Sequence, residues 1–342
     1  MGIEFKRRLQ HAKILNPAKG YEEKTLTLET RWDPLTKKTV RVLDLPIKKL
    51  DKLDMDEILK GRADAPPCPF CPDALEEVTP RFSDDFIKGG RLRFGEVCII
   101  PNRLPFDRCC AVAVLSERHV LPLSDFTEEM LFNVFSTACV FLRRLVEVDP
   151  AVRFFSVNWN YLPMSGGSII HPHLQIIGGE LPTNYQGEMI RGGREYQQRW
   201  GNIFWDELIA EEKELDERYI GAVGNTVWLA SYAPMGFGDI MAVVMGRTSI
   251  IDLSDQDLRD FSQGLLKVFR YFHDFNHYSF NLCLYSGECG GDDSFWVNAR
   301  MVTRRLLPPA GASDVSYFEK LHGESIGYKK PERLCEEMRG YF

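Results

Sequence analysis

Apolar positions along the chain change period several times, and each change marks an element. After the Asp33-Pro34 turn, residues Thr39, Val40, Arg41, Val42 and Leu43 alternate, which predicts a strand. Residues 95 to 123 hold two apolar runs separated by proline-containing turns, a strand-turn-strand pattern. Beyond them Met130, Leu131, Val134, Phe135, Ala138, Phe141 and Leu142 recur at helical spacing. Ser124 or Asp125 is the expected N-cap of that helix, with Glu128 and Glu129 in its first turns. Phe154 to Asn160 reads as a strand, and a glycine turn leads from it into a further strand, HPHLQII. The first 30 residues are polar with a helical flavour, and residues 47 to 65 are charged, read as a short helix or loop.

The pattern recurs. Residues 225 to 272 repeat strand, Pro/Gly turn, strand, turn, helix, and Leu253-Ser254-Asp255 repeats Leu123-Ser124-Asp125. On that alignment His119 corresponds to Ser249, and the His-x-His of the first copy becomes Asn298-Ala-Arg300. The chain therefore divides into a polar N-terminal segment (1–30), a first α+β unit (31–182), a connecting segment (183–224) and a second unit (225–342). The histidines lie in the first unit, so the chemistry is expected there.

Charge and composition narrow the function classes. Lys plus Arg number 42 against 49 Asp plus Glu, a net charge of −7, which argues against broad binding to nucleic acid or to an anionic membrane. Apolar runs such as Cys109 to Leu115 are too short to span a bilayer, and residues 1 to 15 lack the apolar core of a secretion signal. A cytoplasmic location is expected. Of nine cysteines, Cys98, Cys109, Cys139 and Cys283 sit in apolar runs as small hydrophobes, and disulfides are not expected.

Two constellations carry candidate chemistry. On a strand, His171, His173 and Gln175 share one face. The turn before them, Ser165-Gly166-Gly167-Ser168, lets backbone N–H groups approach an anion. A phosphate beside a neutral imidazole sets up nucleophilic attack at phosphorus, and the Gln175 amide can donate to a phosphoryl oxygen. The bland alternative is a pair of structural histidines. Cys68 and Cys71 have zinc-ligand spacing, and His119 with one of the loop histidines completes a Cys2His2 set. A proline-fixed loop is the alternative; a redox pair fits poorly, because no helix start is read after the motif.

Several of these residues together resemble a known family. RWDPLT (31–36), Cys68-x-x-Cys71, Pro101-Asn102, Ser116-x-x-His119, Asn160 and Ser168-x-x-HPHLQ resemble galactose-1-phosphate uridylyltransferase, of the histidine-triad superfamily. The resemblance implies an α+β fold of two tandem histidine-triad-like domains, each an antiparallel sheet with packed helices, the second degenerate. It implies that His173 takes a nucleotidyl group onto its imidazole, with its other nitrogen held by the His171 carbonyl. Gln175 and Ser168 would contact the α-phosphate with Asn160 beside it, Asn102 would lie near the nucleoside, and Ser165, Gly166 and Gly167 would form the substrate loop. Cys68, Cys71, His119 and His171 would bind one zinc per chain. The implied partners are a nucleoside diphosphate sugar and a sugar phosphate, exchanged by a ping-pong route, and the implied assembly is a homodimer.

The chain also departs from the family. A second metal site, iron or zinc, built from one Glu and three His, is expected to be absent, because Ser286, Asn298 and Arg300 stand near its positions. Phe318-Glu319 replaces the sugar-contacting Tyr-Glu with no lysine at the matching distance, and Lys48 and Lys49 stand for an arginine cluster. A phosphorylase acting on a nucleoside diphosphate sugar or a dinucleoside polyphosphate is thus an alternative. A non-catalytic nucleotide-binding protein is a further one, although it has no need of the intact His-Pro-His-x-Gln.

Overall fold

The computed structural model describes residues 2–44, 67–307 and 312–342. The expected element at 47–65, with Lys48 and Lys49, lies outside them.

The N-terminal segment is a β-hairpin, not a helix. Strands β1 (Arg7–Asn16) and β2 (Glu22–Trp32) pair antiparallel around a tight turn in which Asn16 caps Ala18 and Gly20 takes a left-handed φ of 61°. Ala12 pairs with Leu26, and Ile14 lies on the same face, so the deciding period is two. The hairpin's charges suggest a helix; cross-strand pairing overrides that weak local preference. Strand β3 (Thr39–Val42) continues this sheet, and β16 (Ser325–Gly327), near the C-terminus, closes it.

A short helix, α1 (Pro72–Val78), precedes a ten-stranded sheet that runs through both halves. The first half gives β4 (Leu92–Phe94), β5 (Val97–Pro101), β6 (Cys109–Val114), helix α2 (Glu128–Val148), β7 (Phe154–Tyr161) and β8 (His173–Gly179). Helices α3 (Asn184–Trp200) and α4 (Phe204–Leu215) follow. The second half gives β9 (Tyr219–Val223), β10 (Thr226–Ala230), β11 (Phe237–Val244), α5 (Asp255–Asp274), β12 (Ser279–Tyr285) and β13 (Asn298–Arg304). A small pair, β14 (Leu306–Leu307) and β15 (Ala312–Ser313), then α6 (Tyr317–Leu321), β16 (Ser325–Gly327) and α7 (Pro331–Met338) complete the chain. No helix among the described residues is long and apolar enough to cross a membrane.

The strand order is β4-β5-β6-β8-β7 followed by β12-β13-β11-β10-β9, one arrangement and its mirror in order, joined where Leu282 of β12 pairs with Trp159 of β7. Registers repeat as well. Val97 pairs with Phe94 as Thr226 pairs with Val223, and Val114 pairs with His173 as Val243 pairs with Asn298. The fold is thus α+β, two tandem units of antiparallel sheet and helix.

This register corrects the alignment on which the repeat rested. His173, not His171, corresponds to Asn298, and Gln175 corresponds to Arg300. The Leu-Ser-Asp identity is out of step too. Leu123–Asp125 forms a 3-10 turn, and Thr127, whose hydroxyl accepts from Met130 N at 3.2 Å, caps α2 as Ser254 caps α5. The segment 183–224 is more than a connection, since it holds two helices and the edge strand of the second half.

Helices α2 and α5 pack side by side on one face of the sheet, burying Leu131, Phe135, Phe141, Phe261, Leu265 and Phe269 against Trp159 and Phe280. On the opposite face the halves differ. Met189 and Ile190 of α3 and Phe204, Trp205 and Leu208 of α4 cover Val227, Leu229, Met241 and Val243. In the first half, among the described residues, Phe70 and Leu75 with their neighbours cover Cys98, Ile100, Val112 and Val114. The candidate site lies along that face of the first half.

Candidate active site

The chain leaves β7 through a constrained turn. Leu162 sits at φ 66°, ψ 163°, a conformation that costs a non-glycine residue energy and that clusters at functional sites. A 3-10 turn (Pro163–Ser165) follows, and Gly166 takes φ 91°. The Ser165 hydroxyl lies 3.0 Å from the Tyr161 carbonyl and 2.7 Å from that of Leu162, so it is engaged inside the loop rather than toward a ligand. At Gly167 an added Cβ would lie 3.0 Å from the Asn160 carbonyl oxygen, so glycine alone fits without a shift. Gly166 and Ser168 are exposed on the loop surface.

The loop delivers the two histidines with different tasks. Strand β8 begins at His173, and the ladder reaches back through Leu115 N, which donates to Pro172 O at 3.0 Å. Both rings turn toward Phe70, at centroid distances of 5.1 Å for His173 and 6.2 Å for His171. His173 Nδ1 lies 2.8 Å from the His171 carbonyl. A carbonyl only accepts, so Nδ1 carries the proton and Nε2 keeps its lone pair. Burial lowers the His173 pKa below its usual 6.5, which favours the neutral, nucleophilic form. His171 is set the other way round: Nε2 lies 2.6 Å from the Ser116 carbonyl, which leaves Nδ1 as its free lone pair.

That Nδ1 faces the cysteines. Cys71 Sγ lies 3.4 Å from His119 Nδ1 and 3.7 Å from His171 Nδ1, and Cys68 Sγ lies 3.8 Å from His171 Nδ1. All four donor atoms fall within 4.8 Å of one another. Tetrahedral zinc with two sulfur and two nitrogen ligands requires sulfur–nitrogen separations of about 3.5 Å, so the donor set fits that ion. The Ser116 carbonyl supplies the outer hydrogen bond that fixes a ligand histidine. Burial, then the nearby His119 and His173 rings, lower the His171 pKa to about 4, so its ligand nitrogen stays free of protons at neutral pH. Burial and the neighbouring Cys68 raise the Cys71 thiol to about 11 in the absence of a cation. A helix does begin after the motif: Cys71 is the N-cap of α1, with Pro72 at its first position. The sequence reading missed this short helix because the proline-rich stretch reads as loop; proline is compatible with a first turn.

The other expected residues are spread more widely. Gln175 follows His173 on the same face of β8, and its carbonyl accepts from Asn158 Nδ2 at 3.3 Å. Asn102 continues β5 on that face, with its N–H on the Cys110 carbonyl at 2.8 Å, two residues beyond the Gln175 level. Phe318 and Glu319 sit in α6, away from this loop in their contacts. The Glu319 carboxylate caps its own helix through Ser316 N and Oγ, both at 2.8 Å, and Phe318 lies beside Arg41. Sequence reasoning missed Phe70, which packs on His173, and Asn281 of β12, which donates to Asn160 and to the Ser165 carbonyl. Phe70 lies inside the Cys-x-x-Cys motif; Asn281 has no local signal, since its partners are over 100 residues away.

No family model matches the chain. An uncharacterized protein of Archaeoglobus fulgidus is 30% identical over 337 residues, 98% of either chain. The chain belongs to one family with that protein. Among solved structures, a GalT-like protein from Arabidopsis thaliana superposes with a TM-score of 0.71 at 18% identity, covering 91% of this chain and 98% of that one. An ADP-glucose phosphorylase from Arabidopsis thaliana, solved with ADP-glucose, gives 0.71 at 17% identity with the same coverage. A uridylyltransferase gives 0.67 at 16% identity, covering 91% and 97%. The chain thus shares the fold of these GalT-like and uridylyltransferase structures, as the motifs between Arg31 and Gln175 implied.

Proposed function

We propose that the protein is a nucleotidyltransferase that moves a UMP or other nucleoside monophosphate group between a nucleoside diphosphate sugar and a sugar 1-phosphate through His173. The observation that supports this most is the His173 tautomer: Nδ1 is held by the His171 carbonyl, and Nε2 keeps its lone pair. Nε2 attacks the α-phosphorus; a P–N bond forms while the P–O bond to the sugar phosphate breaks, and that oxygen keeps the electron pair. A phosphate oxygen of the acceptor then attacks, and the P–N electron pair returns to Nε2. The His171 carbonyl steadies the positive charge on the ring, and Gln175, Ser168 and Asn160 are assigned to the α-phosphate. Asn102 is assigned to the nucleoside side.

Cys68, Cys71, His119 and His171 would hold zinc. When bound, zinc supplies a structural cross-link between the α1 loop and the turn before β8. Elemental analysis is expected to give about one zinc per chain, reduced to near zero by Cys71→Ser; a second equivalent of zinc or iron would contradict the assignment.

A phosphorylase is the second reading. It is favoured because Glu319, at the family's sugar-contacting position, is engaged in capping Ser316, which leaves a small acceptor better suited than a sugar phosphate. One experiment separates the readings. UDP-glucose or ADP-glucose labelled in the α-phosphate should leave about one acid-labile, base-stable label per chain, and His173→Asn should take none. Galactose 1-phosphate or glucose 1-phosphate then discharges the label if the first reading holds, inorganic phosphate if the second does. Nucleotide binding with no label from either donor would indicate a binding protein and refute both.

A further inference from the structure

Asn281, on β12 of the second half, pairs directly with Asn160 of β7 across the seam between the halves. Its Nδ2 donates to Asn160 Oδ1 at 2.6 Å and to the Ser165 carbonyl at 2.9 Å, and its Oδ1 accepts from Arg304 Nη1 at 2.8 Å. Arg304 is held in turn by Asp314, whose Oδ1 lies 2.9 Å from Nε and 2.8 Å from Nη2. The second carboxylate oxygen of Asp314 accepts from Arg305 N at 2.8 Å.

The direction of these bonds is forced at both ends, by the Arg304 guanidinium and by the Ser165 carbonyl, which only accepts. A guanidinium donates and never accepts, so Asn281 has to turn its oxygen toward Arg304. Both Nδ2 hydrogens then point the other way, one to each acceptor. Asn160 has to answer with its own oxygen, and its NH2 group points away from Asn281, with no hydrogen-bond partner among the described residues. Without Arg304 only the Ser165 carbonyl orients the Asn281 amide, whose oxygen and nitrogen ends have nearly the same shape, and the hold on Asn160 is weaker.

We infer that Asn281 is a positioning residue for the nucleotidyl transfer: polarised by Arg304 and Asp314, it locks the Asn160 amide as a donor toward the phosphoryl oxygens and pins the glycine loop through Ser165. The inference rests on the assignment of Asn160 to the α-phosphate. It gives the second half of the chain, which lacks its own catalytic histidine, a task in the first half's site.

The test is the single-turnover rate at which α-labelled nucleotide sugar labels the full-length protein. Asn281→Asp still accepts from Arg304 but offers Asn160 and Ser165 no hydrogen, so the rate is expected to fall about 100-fold, the loss typical of one misplaced oxyanion donor. The half-saturating concentration should change less than about threefold, since the donor acts as charge develops. In an Asn160→Ala background, Asn281→Asp should slow labelling no more than about threefold further, because the group it orients is gone. Asn281→Leu repeats the cycle without adding a charge. Arg304→Met, which keeps the Ser165 contact of Asn281, should slow labelling by less than Asn281→Leu, and Arg304→Lys, which restores a donor, should recover most of that loss.

Additive losses in the cycle, or a wild-type rate in Asn281→Leu, would overturn the inference. If Asn281→Asp does not fold, the Arg304 pair decides, and equal rates in Lys and Met overturn it. If wild-type protein takes no label from any nucleotide sugar, the fault lies in the proposed activity, whereas normal labelling with an additive cycle sinks the relay alone.

Discussion

Strands β8 and β13 occupy corresponding places in the sheet, His173 opposite Val114 in one and Asn298 opposite Val243 in the other. The two residues also make the same bond. His173 Nδ1 donates to the carbonyl two residues back at 2.8 Å, and Asn298 Nδ2 does so to Trp296 O at 3.0 Å. The next position on that face separates them. Gln175 is half-buried on a face that Phe70 and Leu75 only partly cover. Arg300 is 4% exposed, paired with Asp239 and bonded to Tyr185 of α3 at 3.1 Å. The frame that holds a side chain in place was retained in both halves, and what lies over the strand decides whether that side chain can meet a ligand. In the second half α3 and α4 cover the face, and a buried Arg300–Asp239 ion pair stands where the first half has Gln175.

This comparison can be broken at several points. The largest stability effect is expected from Arg300→Gln, which copies the first half's residue into the second. It strands Asp239, which is 1% exposed and keeps only Ser231 and the Met235 N–H as partners, and should cost about 3–5 kcal/mol in denaturant unfolding. A loss under about 1 kcal/mol would mean that the ion pair is not what the closed face depends on. Gly167→Ala should be milder in stability, about 1–3 kcal/mol, because the new Cβ meets backbone at 3.0 Å from Asn160 O and 3.3 Å from Leu162 O. Its labelling rate at His173 should fall alongside, and unchanged labelling would show that the loop tolerates the shift. The smallest effect is expected from Asn298→His. It supplies an imidazole at the place corresponding to His173, yet label should remain at about one per chain, since the face above is covered by α3 and α4. A second label would mean that the strand frame alone makes a nucleophile.

Local pattern carried much of the fold and of the site. The helical spacing from Met130 to Leu142 is α2, and the motif HPHLQ lies where the chain turns into β8. The Cys-x-x-Cys with His119 and His171 converges within one cluster. Other parts were read from features that do not decide them. The charges of the first 30 residues suggested a helix, while the pairing of β1 with β2 makes them strands. The repeat was recognised through Leu-Ser-Asp, an identity three residues out of structural step, because Thr127 and Ser254 share a role as N-caps without sharing a residue type. The fold tolerates that exchange, since either hydroxyl satisfies the first free N–H groups of a helix.

The sequence by itself determined which groups could do the chemistry: two histidines on alternate positions after a glycine turn, a glutamine beyond them, and a thiol pair with zinc spacing. Spacing is a local property, and strand and turn geometry convert it directly into direction. Only the tertiary structure decided how those groups are set. The Ser116 and His171 carbonyls assign each imidazole its tautomer, Asp314 and Arg304 orient Asn281, which meets Asn160 across the seam, and α3 and α4 cover the face of the second half. Each of these depends on a hydrogen bond or a packed surface between groups set by the whole fold, most of them distant in the chain, and no period along the sequence encodes such a contact.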